Sequence, residues 1–66
     1  MGKFSEAKSS LDNALQLAYS TNDEKNMADI YNLLGSLSLR AKKNAEALEY
    51  YNHSLTIREK EGYLVS

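Results

Sequence analysis

Apolar residues recur at intervals of three and four along most of the chain, and this spacing constrains the fold more than any other feature. In the first stretch they run from Phe4 through Leu11 to Ala18. Such spacing places the apolar side chains on one face of an α-helix. The sequence has no proline and only three glycines, so few positions interrupt a helix. The pattern therefore predicts an all-α fold.

The first two helices are expected on either side of a polar cluster. We expect the first helix over about Phe4–Tyr19, ending at Ser20–Asp23, where polar side chains compete for backbone hydrogen bonds. Thr21 and Glu24 have the spacing of a capping box for the second helix, and the two residues after Thr21 are alternative caps.

The second helix carries too many apolar residues for one narrow stripe. They extend from Met27 to Ala41, so this helix is expected to be covered on two sides, as the middle member of three. A turn near Lys42–Asn44 then precedes the third helix, with Asn44 as its N-cap and Gly62 as its C-terminal stop.

Composition excludes several classes of function. The 66 residues include no cysteine, which rules out disulfides and cysteine-ligated zinc. The net charge of -1 offers no field that attracts nucleic acid. No apolar run approaches the roughly 18 residues of a membrane span, and no signal peptide is evident. We therefore expect no nucleic-acid partner, no membrane partner and a cytoplasmic location.

The sequence also lacks the residue combinations that catalysis requires. His53 is the only histidine, so a metal site with two histidines is impossible, and no serine has the glycines of a nucleophile elbow. Glu46 and Glu49 are spaced like an ordinary solvated pair on a helix. We expect neither an enzyme nor a cofactor or metal site.

The chain repeats itself at an offset of forty residues. Glu6-Ala7 then falls on Glu46-Ala47, and Leu15 falls on Leu55. The identities are few, but they lie on the periodic, inward-facing positions. The first and third helices are therefore interpreted as the same element occurring twice.

Four features resemble the tetratricopeptide repeat, a helix–turn–helix unit. Tyr31 stands at the first aromatic position, Leu34-Gly35 is the Leu-Gly pair, Ala47 is the small residue and Tyr51 is the later aromatic. The resemblance implies a single domain over 1–66, an antiparallel array of three helices. In it, 2–22 is the second helix of a preceding repeat, 23–62 is one full repeat and 63–66 is a tail.

The chain departs from the usual repeat in its length. The forty-residue offset exceeds the standard period of 34 residues, which indicates a subtype with long helices. Gly35 is expected to let the third helix approach closely. We expect it to contact Ala47 at the crossing, with four larger side chains around them: Tyr31, Leu34, Tyr51 and Leu55.

The resemblance implies a protein–protein interaction module that binds a protein or peptide in a groove. The groove positions carried over from the family are Asp29, Asn32, Ser36, Leu39 and Arg40. An alternative interpretation is that these residues are simply the solvated face of the second helix.

A rival function is a self-associating structural or engineered element. Nothing in the sequence covers Phe4 and Leu11 on one side, or Leu48 and Tyr51 on the other, because repeats bury their faces only by stacking. We expect a homo-oligomer formed by end stacking or by exchange of the third helix. The hinge for an exchange is Ala41–Ala45, which has neither glycine nor proline.

Overall fold

Three α-helices make up the part of the chain that the structure describes. This computed structural model describes residues 2–62, with side chains for 3–60. The helices are α1 (Gly2–Ser20), α2 (Glu24–Arg40) and α3 (Asn44–Gly62). Helix α2 packs against both neighbours and more extensively against α3. The all-α array with a central second helix is therefore confirmed, whereas the predicted tail at 63–66 lies outside the described residues.

The turn between α1 and α2 closes with two backbone hydrogen bonds of the Schellman type. The N–H of Asp23 donates to the carbonyl of Ala18 at 2.8 Å, and that of Asn22 to Tyr19 at 3.1 Å. Asn22 adopts a left-handed conformation with φ of 57°. Asparagine tolerates that region better than most residues, so the sequence suits this turn.

The turn between α2 and α3 repeats this geometry twenty residues later. Lys43 donates to Ser38 at 2.8 Å, and Lys42 donates to Leu39 at 3.0 Å. Lys42 holds the left-handed position with φ of 63°. A lysine has a Cβ that disfavours this conformation by about 1–2 kcal/mol, and glycine is its usual occupant. The second turn is therefore the more strained of the two.

One of the alternative N-caps of α2 is confirmed, whereas the predicted N-cap of α3 is wrong. Asp23, one of the alternative caps, accepts a hydrogen bond from the N–H of Asn26 at 3.3 Å, while the hydroxyl of Thr21 donates back to α1. Asn44 already belongs to α3, because the carbonyl of Lys43 accepts the first helical bond. The capping position of α3 is thus Lys43, whose side chain has no acceptor.

The core lies between α2 and its two neighbours. Leu34 and Ala47 are each 1% exposed, and Tyr31 is also buried. Two serines are buried as well: Ser38, and Ser54, which donates to the carbonyl of Ala28 at 3.0 Å. A buried hydroxyl is tolerated when it has such a partner.

The close approach of α3 to α2 at Gly35 is confirmed, but one of the four larger side chains expected around the crossing lies elsewhere. A Cβ built on Gly35 would meet the ring of Tyr51 at 2.8–2.9 Å, so the glycine accommodates that ring. Leu55 was expected beside the crossing but is 53% exposed.

Among the described residues, no helix is long and apolar enough to cross a membrane.

Candidate functional site

The five groove residues predicted on α2 are all exposed, and together we call them the α2 strip: Asp29, Asn32, Ser36, Leu39 and Arg40. They lie on the side of α2 that the buried residues leave free. Because α2 is held between α1 and α3, the strip is fixed on a supported helix.

Two members of the α2 strip are linked to α3. The hydroxyls of Ser36 and Tyr51 are 3.1 Å apart, and the carboxylate of Asp29 is 3.8 Å from the guanidinium of Arg58. The Asp29–Arg58 pair is more than half exposed, so its net stabilisation is small. Sequence reasoning missed Arg58 and the hydroxyl of Tyr51, because these contacts depend on the register between two helices.

Two other members of the strip keep their polar groups available. Within residues 3–60, neither the amide of Asn32 nor the guanidinium of Arg40 has a hydrogen-bond partner. A free guanidinium can bind a carboxylate through two parallel hydrogen bonds, and a free amide can both donate and accept. These groups provide the chemistry for holding a peptide backbone and an acidic group.

A groove runs between α1 and α2. Its cavity of about 640 Å³ is lined by a set we call the α1–α2 groove: Ala7, Ser10, Leu11, Leu33, Ser36, Leu37 and Arg40. A second cavity continues it past Phe4 and ends at Lys3 and Arg40. The groove is therefore apolar along its length and basic at one end.

The four residues predicted to mediate self-association are distributed over both sides of the array. Leu11 lines the α1–α2 groove, and the ring of Phe4 lies 5.2 Å from the ammonium of Lys43, within cation–π distance. On α3, Leu48 is 62% exposed, whereas Tyr51 is half-buried. Leu55 lies on the same side of α3 as Leu48, and we call the surface that these two leucines form the α3 outer face.

An aromatic cluster lies in a third cavity, between α1 and α3. The ring of His53 stacks on Tyr31 with 4.8 Å between centroids, and the hydroxyl of Tyr31 is 2.6 Å from that of Tyr19. Burial and this hydrogen bond raise the pKa of Tyr31 to about 12. In the same cavity, the bond from Lys8 to Asp12 raises the pKa of the lysine.

The described residues offer no group of three or more histidine, cysteine or acidic side chains that could hold a metal ion. The exposed groups are suited to non-covalent contact through apolar side chains, hydrogen bonds and charges.

Comparison with known proteins gives one family. The family model described as tetratricopeptide repeat matches residues 1–60. No curated protein and no solved structure matches the chain.

Proposed function

This chain belongs to the tetratricopeptide-repeat family, and we propose that it binds a peptide or an extended protein segment through the α2 strip, without catalysis. The family generally mediates protein–protein interaction. The observation that carries the proposal is the α2 strip itself, in which all five residues are exposed on a helix held from two sides. We keep 23–62 as the proposed full repeat and 2–22 as the proposed end of a preceding one.

The proposed ligand has an acidic group next to an extended backbone. Arg40 is the cation that would pair with the carboxylate, and Asn32 would bond a backbone amide. Both groups lack partners within residues 3–60, so no internal bond has to be broken on binding. Leu39 is 49% exposed and would contact an apolar side chain of the ligand.

A peptide library displayed against the immobilised chain tests this proposal. We expect selected peptides to share an acidic residue, and Arg40→Ala to weaken their binding roughly tenfold, the effect of losing a charged hydrogen bond. Asn32→Ala should weaken binding less, and Asn13→Ala on the exposed side of α1 serves as its matched control. Selection without a shared motif, or equal binding by the Asn32 and Asn13 variants, would contradict the assignment.

A second candidate function is self-association, as a structural or engineered repeat element that forms a homo-oligomer. The observation that favours it is the exposure of large apolar side chains on both sides of the array, including Leu33 at 55% and Leu48 at 62%. Burial of such surface favours association by about 25 cal/mol for each Å² removed from water.

Two routes to the homo-oligomer are proposed, end stacking and exchange of α3 between chains. The left-handed conformation of Lys42 supports an exchange, because straightening the turn would relieve it. Sedimentation velocity over a range of concentrations tests self-association, and a single monomeric species throughout would refute it.

The proposed compartment is the cytoplasm. This proposal rests on the cysteine-free composition of the sequence.

A further inference from the structure

We propose that copies of the chain associate head to tail, with the α3 outer face of one copy seated in the α1–α2 groove of the next. The inference rests on the self-association proposed above, and it names the two surfaces and the direction of the contact. A second copy of this chain is the occupant of the groove. Three observations lead to it: the internal repeat, the pattern of the α3 outer face and the distribution of charge.

The forty-residue repeat indicates what the groove lacks. Ala7 on α1 corresponds to Ala47 on α3, and Ala47 is 1% exposed in the interface with α2. Ala7 instead lines the open groove and remains partly exposed. The face of α1 that carries Ala7 thus corresponds to the face of α3 that carries Ala47. In α3 that face is covered by the antiparallel helix α2. A helix is the element that fits there.

The α3 outer face is a helical surface with a suitable pattern. Leu48 and Leu55 are 62% and 53% exposed and lie seven residues apart, on one side of the helix. Glu59, four residues further on, continues the same stripe and is also exposed. The stripe therefore carries two exposed leucines, with the exposed Asn52 between them, and ends at the acidic Glu59.

Charge determines which way the second copy lies. Lys3 and Arg40 are at one end of the groove, and no acidic residue lines either of its two cavities. Glu59 lies near the C-terminal end of α3, where the helix dipole is negative. The cations on either side of it, Arg58 and Lys60, pair with carboxylates of α2. Placing Glu59 and the negative end of the dipole against Lys3 and Arg40 makes the second copy's α3 antiparallel to α1. The opposite direction would bring the positive end of the dipole to the two cations.

The contact joins two different surfaces, so a pair of copies still has one free groove, on the first copy, and one free outer face, on the second. Such a heterologous contact propagates from copy to copy, whereas a two-fold contact or an exchange of α3 closes at a dimer. This difference provides the test. A copy with a blocked groove still has its outer face, and a copy with a blocked outer face still has its groove.

The experiment mixes two such variants. Leu33→Glu blocks the groove and Leu48→Glu blocks the outer face, and both leucines are more than half exposed, so the core is unchanged. We expect each variant alone to remain monomeric at concentrations where the unaltered chain assembles. A one-to-one mixture should give a heterodimer and nothing larger. Ser9→Glu adds the same charge at an exposed site outside both surfaces and should assemble like the unaltered chain.

Three results would overturn the inference, and they can be told apart. If the mixture stays monomeric while the unaltered chain assembles, the two surfaces do not bind each other, although self-association stands. If either variant alone still forms dimers, a two-fold contact or an exchange of α3 replaces head-to-tail association. If the unaltered chain is monomeric at every concentration, the proposed self-association is wrong as well.

A charge reversal tests the direction of the contact separately. Glu59→Lys should weaken association roughly twofold to fivefold, the effect of one exposed ion pair. Adding Arg40→Glu in the same chain restores an opposite pair across the contact and should recover part of that loss. A double variant as weak as Glu59→Lys, or weaker, would show that these two residues do not meet.

Discussion

Replacing Gly35 with alanine tests how closely α3 approaches α2. The new Cβ would lie 2.8 Å from Cε1 and 2.9 Å from Cδ1 and Cζ of Tyr51. Carbon atoms in favourable contact are about 3.5–4.0 Å apart, so the ring must move away by more than half an ångström. The ring is half-buried and its hydroxyl bonds to Ser36, so it can yield only by disturbing that bond.

Two opposing free energies decide the outcome. Overpacking of this kind costs about 1–3 kcal/mol. Alanine is favoured over glycine inside a helix by about 1 kcal/mol. Gly35→Ala should therefore lower the free energy of unfolding by roughly 0–2 kcal/mol. When Tyr51 is also replaced by alanine, the clash disappears, and Gly35→Ala should instead stabilise the chain by about 1 kcal/mol.

The assay is a double-mutant cycle over Gly35 and Tyr51, measured by urea unfolding with far-ultraviolet circular dichroism. Ser9→Ala, at an exposed position of α1, controls for helix propensity alone. The reasoning is refuted if Gly35→Ala stabilises the unaltered chain as much as it stabilises the Tyr51→Ala variant. The ring would then not fill the space beside the glycine, which would be an ordinary interior residue of the helix.

Three further predictions concern the crossing, the second turn and the aromatic cluster. Ala47→Leu should lower stability by roughly 1–3 kcal/mol, because Ala47 is 1% exposed, and an unchanged thermal melt would contradict this. Lys42→Gly should stabilise the closed turn by about 1 kcal/mol. If replacing both Lys42 and Lys43 with glycine leaves the mass of a dimer in solution unaltered, exchange of α3 through this hinge does not form that dimer. Tyr31 keeps its proton in the fold up to a pKa of about 12, above the usual 10.0, so its contribution to stability should be lost as pH rises from about 10 to about 12. Chemical unfolding at several alkaline pH values should show a smaller loss for Tyr31→Phe, and equal losses would exclude this role.

The helices and the core of α2 could be predicted from the sequence because they depend on local periodicity. Tyr31 and Leu34 follow the apolar spacing and are buried as expected. Leu55 shows the limit of that reasoning. Its counterpart Leu15 packs against the core beside α2, but no described helix lies where the same face of α3 points. Periodicity identifies the apolar face, and only the neighbouring elements decide whether it is covered.

The prediction of the N-cap of α3 was wrong for a different reason. Asn44 has the right chemistry for an N-cap, yet the Schellman bonds of the preceding turn place Lys43 at that position. The exposure of the α2 strip follows from the helical pattern, but the links from Asp29 and Ser36 to α3 depend on interhelical register. The binding of a ligand by the α2 strip stays a prediction.

The two turns, with matching hydrogen bonds twenty residues apart, limit where the length of the chain can vary. One residue inserted within α2 would rotate everything after it by about 100° and advance it by about 1.5 Å. An insertion after Gly35 would turn α3 relative to that glycine, so Gly35 would no longer face Tyr51. The fold should therefore tolerate the gain or loss of single residues in the turns but not in the helices. Related sequences should differ in length only near Asn22 and Lys42.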